Sequence, residues 1–319
     1  MLAAGFPVHL TTQHINCQTL VRYNTRMTHW RLLHTPPSTG AWNMAVDEAI
    51  LEHIHRGESK PTLRLYAWNP PCLSLGHAQP FKDVDLERLR ARGWDVVRRM
   101  TGGRAILHTD ELTYSVSGPA DDPVLAGGVL ESYNRLAKAL LFAMREIELP
   151  VEIKEESVGH AVNMTNNNPT SHASSAAYIN PVCFEAPSTY EITVNGKKLI
   201  GSAQARKKEG VLQHGSLPLS GDLTRICDAL VFEDEAARDA AKKRLLARAT
   251  TVSTALGEVG ESAFGVESGW ERAARSFVQG FEAELGIRFE AGELSKSEIQ
   301  RTGELVKEKY AHPSWNGRS

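Results

Sequence analysis

Two strand-like runs, Tyr190 to Val194 and Leu199 to Ala203, are joined through Asn195-Gly196. Asn-Gly readily takes the positive φ angles of a tight two-residue turn, so this segment predicts a β-hairpin and commits the chain to antiparallel pairing. Further strands are predicted at His29 to His34, Thr62 to Trp68, Cys72 to Leu75, Trp94 to Arg98, Leu112 to Ser117 and Val211 to Leu219. In Thr62 to Trp68 the alternation puts Leu63, Leu65 and Ala67 on one side. Pro70-Pro71 forces a turn after it, which makes Cys72 to Leu75 its expected hairpin partner.

Helices are predicted where apolar residues recur at 3.6-residue spacing. Ala41 to His55 carries Met44, Ala45, Ala49, Ile50 and Ile54 in that pattern. A charged helix follows at about Asp83 to Arg92, and a long one at about Gly128 to Ile147. The C-terminal third reads as mostly helical: Asp234 to Ala249, Trp270 to Glu284 and Ser295 to Tyr310. Strands grouped near hairpins, with helices between and after them, predict an α/β (α+β) fold. The sheet should be mixed, largely antiparallel and flanked by helices. Residues 1–28 read as a non-catalytic, disordered N-terminal extension, with an organelle-targeting peptide as the competing reading. Residues 29–290 form the predicted main domain, and residues 291–319 a C-terminal helix packed on it. Residues 154–179, rich in Asn, Ser, Thr, Ala and His, bury too little apolar surface to offset their ordering entropy and predict a mobile loop.

A chain of 319 residues, 41% hydrophobic and 23% charged, can bury a sizeable core. Its formal net charge of −2 argues against a nucleic-acid binder. No apolar run approaches the ~18 residues of a membrane helix. The four cysteines, Cys17, Cys72, Cys183 and Cys227, lie far apart with no C-x-x-C pair. That spacing predicts neither a disulfide framework nor a metal site, and fits a reducing, cytoplasmic setting.

Three blocks carry candidate chemistry. In RRMTGGRAILH, Arg98 to His108, three arginines surround Gly102-Gly103 directly after a strand. Paired glycines let backbone amides approach a ligand, and the arginines suit a phosphate; a hairpin turn with surface arginines is the competing reading. In NPVCFEAPSTYEITVNGKKLIGSAQ, Cys183 sits between Pro181 and Pro187, where the sheet resumes. Most lone cysteines are inert, but an ammonium such as that of Lys198, folded back by a strand pair, would favour the thiolate. In QHGSLPL, His214-Gly215 beside a strand reads equally as a pocket wall or an ordinary turn. Elsewhere, Cys72 and Cys227 are expected in the core, and His53 with His55 makes a poor metal pair because the two face different ways. Asp47 and Glu48 are expected to be solvated or capping residues.

The blocks AWNMAVDEAIL, RLYAWNPPCLSLGHAQ, RRMTGGRAILH, ELTYSVS, CFEAPSTYEI, GKKLIGSAQ and LQHGSLPL, in this order from about Trp30 onward, resemble the octanoyltransferases of the lipoate and biotin protein ligase superfamily. The resemblance implies a ligase-type catalytic domain over residues 29–290, with an acyl tunnel beside the Gly-Gly turn. It implies that Cys183 takes an octanoyl group from acyl carrier protein as a thioester, beside Lys198, and passes it to a lysine of the glycine-cleavage H protein or another lipoyl domain. No cofactor and no metal is implied. Arg98, Arg99 and Arg104 are implied to meet carrier phosphate or protein. Thr101, Gly102, Gly103, His108, Gly201, Ser202, Ala203, His214 and Gly215 are implied to shape the substrate site. An ATP-dependent lipoate protein ligase, an amidotransferase moving octanoate from H protein to E2 subunits, and an inactive lipoyl-domain binder are the competing functions.

Overall fold

The computed structural model describes residues 28–155, 190–257 and 269–318. In chain order the elements are β1 (Thr28–His34), α1 (Gly40–His55), β2 (Thr62–Tyr66), β3 (Cys72–Leu75), α2 (Leu86–Ala91), β4 (Asp95–Arg98), β5 (Ile106–His108), β6 (Glu111–Gly118), α3 (Val129–Glu146), β7 (Val151–Glu155), β8 (Tyr190–Val194), β9 (Lys197–Lys207) and β10 (Gly210–Pro218). They continue with α4 (Glu235–Arg248), α5 (Val252–Ala255), α6 (Gly269–Leu285), β11 (Ile287–Ala291), α7 (Lys296–Leu305) and α8 (Pro313–Asn316). Local chemistry explains several starts. The side chains of Thr39, Asp234 and Ser295 accept from backbone amides of the first turns of α1, α4 and α7, and Ser295 with Glu298 closes a capping box.

Eight strands form the main sheet, in the order β11-β1-β2-β6-β10-β9-β8-β7. β1 runs parallel to both β11 and β2, and every other neighbouring pair is antiparallel. The sheet is therefore mixed and largely antiparallel, as expected. Asn195 (φ 51°) and Gly196 (φ 74°) both occupy the left-handed region, which is what the turn between β8 and β9 demands.

Successive residues of a strand face opposite sides, and β6 shows what each side meets. Tyr114 packs on Phe277 and Phe281 of α6, inside the large core that α3 and α6 close over one face. Ser115, the next residue, donates to Asp47 of α1 on the other face. A second sheet, β4-β3-β5, lies on that α1 side, and its own small core includes Leu73, Leu75 and Ile106.

Four expectations need correction. β3 is not the hairpin partner of β2. Both edges of β2 are already taken by β1 and β6, while the Pro71 carbonyl accepts from Asp95 and draws β3 onto β4. β2 is also buried on both faces, not on one. β7 carries the chain through Lys154 to Glu155, two residues into the segment expected to be a loop; the rest of that segment lies outside the described residues. Finally, β11 interrupts the region read as helical. It straddles the expected boundary at 290/291 and pairs with β1, from Thr28↔Ile287 to Leu32↔Ala291. The expected extension lies outside the described residues, apart from Thr28 itself, the first residue of β1. Cys72 and Cys227 are buried in core clusters as expected.

Candidate active site

Between the two sheets and α1 lies a cavity. β9 and β10 supply Gly201 to Ala203 and His214 to Ser216, held opposite one another by the pairs Ala203↔His214 and Gly201↔Ser216. The second sheet supplies Ser74, Ile106 and His108, and the turn before β5 supplies Gly103. Gly103 sits at φ +93°, and a Cβ on Gly76 would meet its carbonyl oxygen at 1.8 Å, so the end of β3 and this turn touch backbone to backbone. The close approach needs glycine at 76, and the left-handed φ favours it at 103.

One wall rests on a buried carboxylate. Asp47 accepts from Arg64 Nη1 at 2.8 Å, Ser115 Oγ at 2.8 Å and Tyr66 OH at 3.1 Å. Burial alone pushes the Asp47 carboxyl up, but the Arg64 guanidinium, with His214 and Ser115, outweighs it and holds the group below its ordinary value. His214 Nδ1 lies 3.9 Å from Asp47, in ion-pair range rather than hydrogen-bond range, and its Nε2 meets Thr101 Oγ1 at 2.6 Å. Burial lowers the His214 pKa although Asp47 opposes this, so the ring is neutral at physiological pH. The expectation of a solvated or capping Asp47 is thus wrong: it is 1% exposed and braces the cavity. Its neighbour Glu48 is not a free surface group either, since it accepts from Lys309 and Tyr310.

The opposite wall repeats the pattern. Glu111 accepts from His108 Nδ1 and Thr113 Oγ1, both at 2.5 Å, and from Ser216 Oγ. Burial pushes the Glu111 carboxyl up, and His108 with the two hydroxyls brings it below its ordinary value. His108 Nε2 meets Ser74 Oγ at 2.7 Å, and its ring stacks on Trp68 with centroids 3.9 Å apart and planes 9° from parallel. Trp68 Nε1 in turn donates to Thr113 Oγ1 at 2.7 Å, which fixes the stack.

Arg99 links the two walls. Its Nε donates to Thr101 Oγ1 and its Nη1 to Ser74 Oγ, each at 3.2 Å. A guanidinium can only donate. Each hydroxyl therefore accepts from Arg99 and is left to donate to its histidine. Arg98 has a different task from the phosphate contact expected of it. It is fully buried, and its guanidinium donates to the carbonyls of Gly76, His77, Gln79, Trp315, Asn316 and Arg318. A side chain so engaged ties the C-terminal residues under the turn and has no face to offer a ligand. Arg99 is likewise buried, donating to the carbonyls of Ser74, Gly102 and Arg104, so its reach is to the cavity and not to a surface phosphate.

Of the other expected site residues, Gly103, His108, Gly201, Ser202, Ala203, His214 and Gly215 all line the cavity. Thr101 is buried behind His214, and Gly102 is exposed on the turn. Lys198 lies on β9, three residues before Gly201, with its ammonium 2.8 Å from Glu191 on β8. Cys183 lies outside the described residues. The sequence reading missed Asp47, Glu111, Ser74 and Trp68. A usable signal was Arg64 within the apolar strand TLRLY, since a buried cation needs a buried anion. Among the described residues no cluster of His, Cys, Asp and Glu suits a metal ion, and no helix is long and apolar enough to cross a membrane.

Residues 39–278 match the family of the lipoyl protein ligase A/B catalytic domain, and the chain belongs to that family. Among curated relatives, the chain is 43% identical over 288 residues to Octanoyltransferase LipM of Moorella thermoacetica, covering 90% of this chain and 97% of that protein. It is 39% identical to Octanoyltransferase LipM of Kyrpidia tusciae, over 92% of this chain and all of that protein. Among solved structures, the bi-partite lipoate protein ligase of Thermoplasma acidophilum superposes with a TM-score of 0.69, covering 92% of this chain and 98% of that one. At 23% identity this last likeness concerns the fold alone.

Proposed function

We propose that this protein is an octanoyltransferase that carries the acyl group on Cys183 between a carrier-protein thioester and a lysine of a lipoyl-domain protein. The observation that supports this most is its 43% identity, over nearly the whole length of both chains, to a protein named an octanoyltransferase. The Cys183 thiolate attacks the carbonyl of octanoyl acyl carrier protein and expels the carrier thiolate. A lysine amine of the glycine-cleavage H protein, or of another lipoyl domain, then attacks the acyl-enzyme and releases Cys183. A thiolate is both a good nucleophile toward a thioester and a good leaving group toward an amine, so one difficult transfer becomes two easier ones. The Lys198 ammonium favours the thiolate and the developing oxyanion. The cavity lined by Gly201 to Ala203 and His214 to Ser216 takes the acyl chain. Gly102 and Arg104, on the turn at its edge, meet the carrier. The enzyme works in the cytoplasm and uses neither cofactor nor metal.

Intact-mass spectrometry tests this. Mixing the protein with octanoyl carrier protein in the absence of ATP is expected to add one octanoyl group to the wild type and none to Cys183→Ala. Apo H protein is expected to discharge the adduct. Acceptor modification that needs octanoate and ATP, with no adduct on Cys183, would establish the ligase reaction instead.

A further inference from the structure

Ser74, His108 and Glu111 stand in a hydrogen-bonded line that the acyl-transfer reading does not use. Ser74 Oγ is 2.7 Å from His108 Nε2, and His108 Nδ1 is 2.5 Å from Glu111 Oε1. Three local features produce the line. The antiparallel pairing of β3 with β5 sets Cys72 opposite His108 and Ser74 opposite Ile106, which makes Ser74 and His108 diagonal neighbours on one face of that sheet. A corner at Thr109-Asp110, closed by the Glu111 amide on the Thr109 carbonyl, folds the glutamate back onto its histidine. The Trp68 stack fixes the imidazole plane.

Proton positions follow from donor chemistry. The carboxylate holds the imidazole proton on Nδ1, which leaves Nε2 to accept from Ser74 whenever it carries no proton. Arg99 Nη1 has already claimed a lone pair of Ser74 Oγ at 3.2 Å, so the hydroxyl proton points to the histidine. This is the arrangement of an activated serine: a nucleophile on a base, and the base on a buried carboxylate. Ser74, His108 and Arg99 all line the cavity. Glu111 is itself buried and held in place by Thr113 and Ser216 as well as His108, so the base rests on a fixed carboxylate.

We infer that Ser74, His108 and Glu111 form a second nucleophilic centre, one that hydrolyses acyl esters or thioesters whose chain enters the cavity. Ser74 Oγ attacks the acyl carbonyl while His108 Nε2 takes the hydroxyl proton, and Glu111 stabilises the imidazolium. Arg99 stands beside the developing oxyanion. The carbon–sulfur or carbon–oxygen bond breaks, and the leaving thiol or alcohol departs with the proton from His108. Water, giving a proton to His108, then attacks the Ser74 ester, and the fatty acid leaves with Ser74 restored. The choice of a medium-length acyl chain rests on the transferase reading; the triad geometry does not.

Full-length Cys183→Ala protein removes the transfer nucleophile and leaves this centre alone. Treated with octyl fluorophosphonate and mapped by peptide mass spectrometry, it is expected to carry the phosphonyl group on Ser74, with none on a Cys183→Ala/Ser74→Ala protein. Its hydrolysis of p-nitrophenyl octanoate is expected to fall about 10²-fold with Ser74→Ala or Glu111→Gln. In case the glutamate substitution harms folding, Ser74→Cys keeps the geometry and is expected to move labelling from the phosphonate to iodoacetamide. Absence of phosphonyl on Ser74 in folded Cys183→Ala protein, or ester hydrolysis indifferent to Ser74→Ala, would overturn the inference. Failure of Cys183 to take up octanoate would instead count against the transferase reading, since the labelling of Ser74 does not depend on Cys183.

Discussion

Lys198 and Asp47 are both charged and nearly buried, yet substitution should report on different things. Lys198 sits beside Glu191, so its ammonium is held in a defined place on β9. If it favours the Cys183 thiolate, Lys198→Ala should move the pH profile of thiol alkylation to higher pH, because the cation that stabilises the thiolate is gone. Iodoacetamide alkylation of Cys183, followed by peptide mass spectrometry across pH, checks this, and an unchanged profile would remove Lys198 from the role. Asp47→Asn acts on stability instead. It leaves the Arg64 guanidinium, whose side chain is 1% exposed, without its counter-charge. The expected cost is about 3–5 kcal/mol, read from urea unfolding. Asp47 and Glu111 also set an acid limb. Both carboxyls are held below their ordinary values in the folded protein, so the unfolded chain binds protons more tightly. Their contribution to stability is complete above about pH 5 and falls away as the pH drops through the ordinary carboxylate range toward their folded values. Urea midpoints measured from neutral to acid pH should show that limb, and Asp47→Asn should flatten it.

α3 and α6 lie so close that Gly280 has no room for a side chain. A Cβ there would meet the Ala139 carbonyl oxygen at 2.5 Å and the Ala143 amide nitrogen at 2.8 Å, both on the backbone of α3. Backbone cannot swing aside as a side chain can. Gly280→Ala should therefore force the helices apart and lower stability by about 1–3 kcal/mol in thermal denaturation, although alanine favours helix in isolation. Elements of this kind were legible in the sequence as helices, because Ala273, Phe277 and Phe281 recur with helical spacing on one face. Partnership was not legible. The pair Pro70-Pro71 announced a turn, but nothing local says that β2 has lost both edges to β1 and β6. β11 escaped because IRFEA is short, with one of its five residues fully buried. The site was readable where local chemistry marks it, as at Gly102-Gly103 or His214-Gly215. It was not readable where charges are buried by tertiary contact. Asp47 looks like any helix carboxylate until Arg64, seventeen residues away, is folded onto it.

The last residues of the described chain are fastened to the cavity's edge. Arg98 donates to three carbonyls between Trp315 and Arg318, and Trp315 Nε1 returns a bond to the Arg98 carbonyl at 2.8 Å. Removing residues 313–319 strips a buried cation of half its acceptors. A loss of about 3–5 kcal/mol in urea unfolding is expected, together with weakened octanoyl transfer, since Arg98 directly precedes the arginine that joins the two cavity walls. A truncated protein with wild-type stability would show that water replaces those carbonyls at little cost.

The parallel pairing of β1 with β11 joins residue 28 to residue 287 across most of the molecule. On the ribosome the two do not meet for some time. At ordinary elongation rates of about 5–20 residues per second, roughly 10–50 s separate the synthesis of β1 from that of its partner. Through that interval β1 has its β2 edge to pair with and its other edge open, a free template for strand addition by any neighbouring nascent chain. Yield in the cell should therefore depend on how fast the codons between β1 and β11 are translated, and on what shields that edge until β11 emerges.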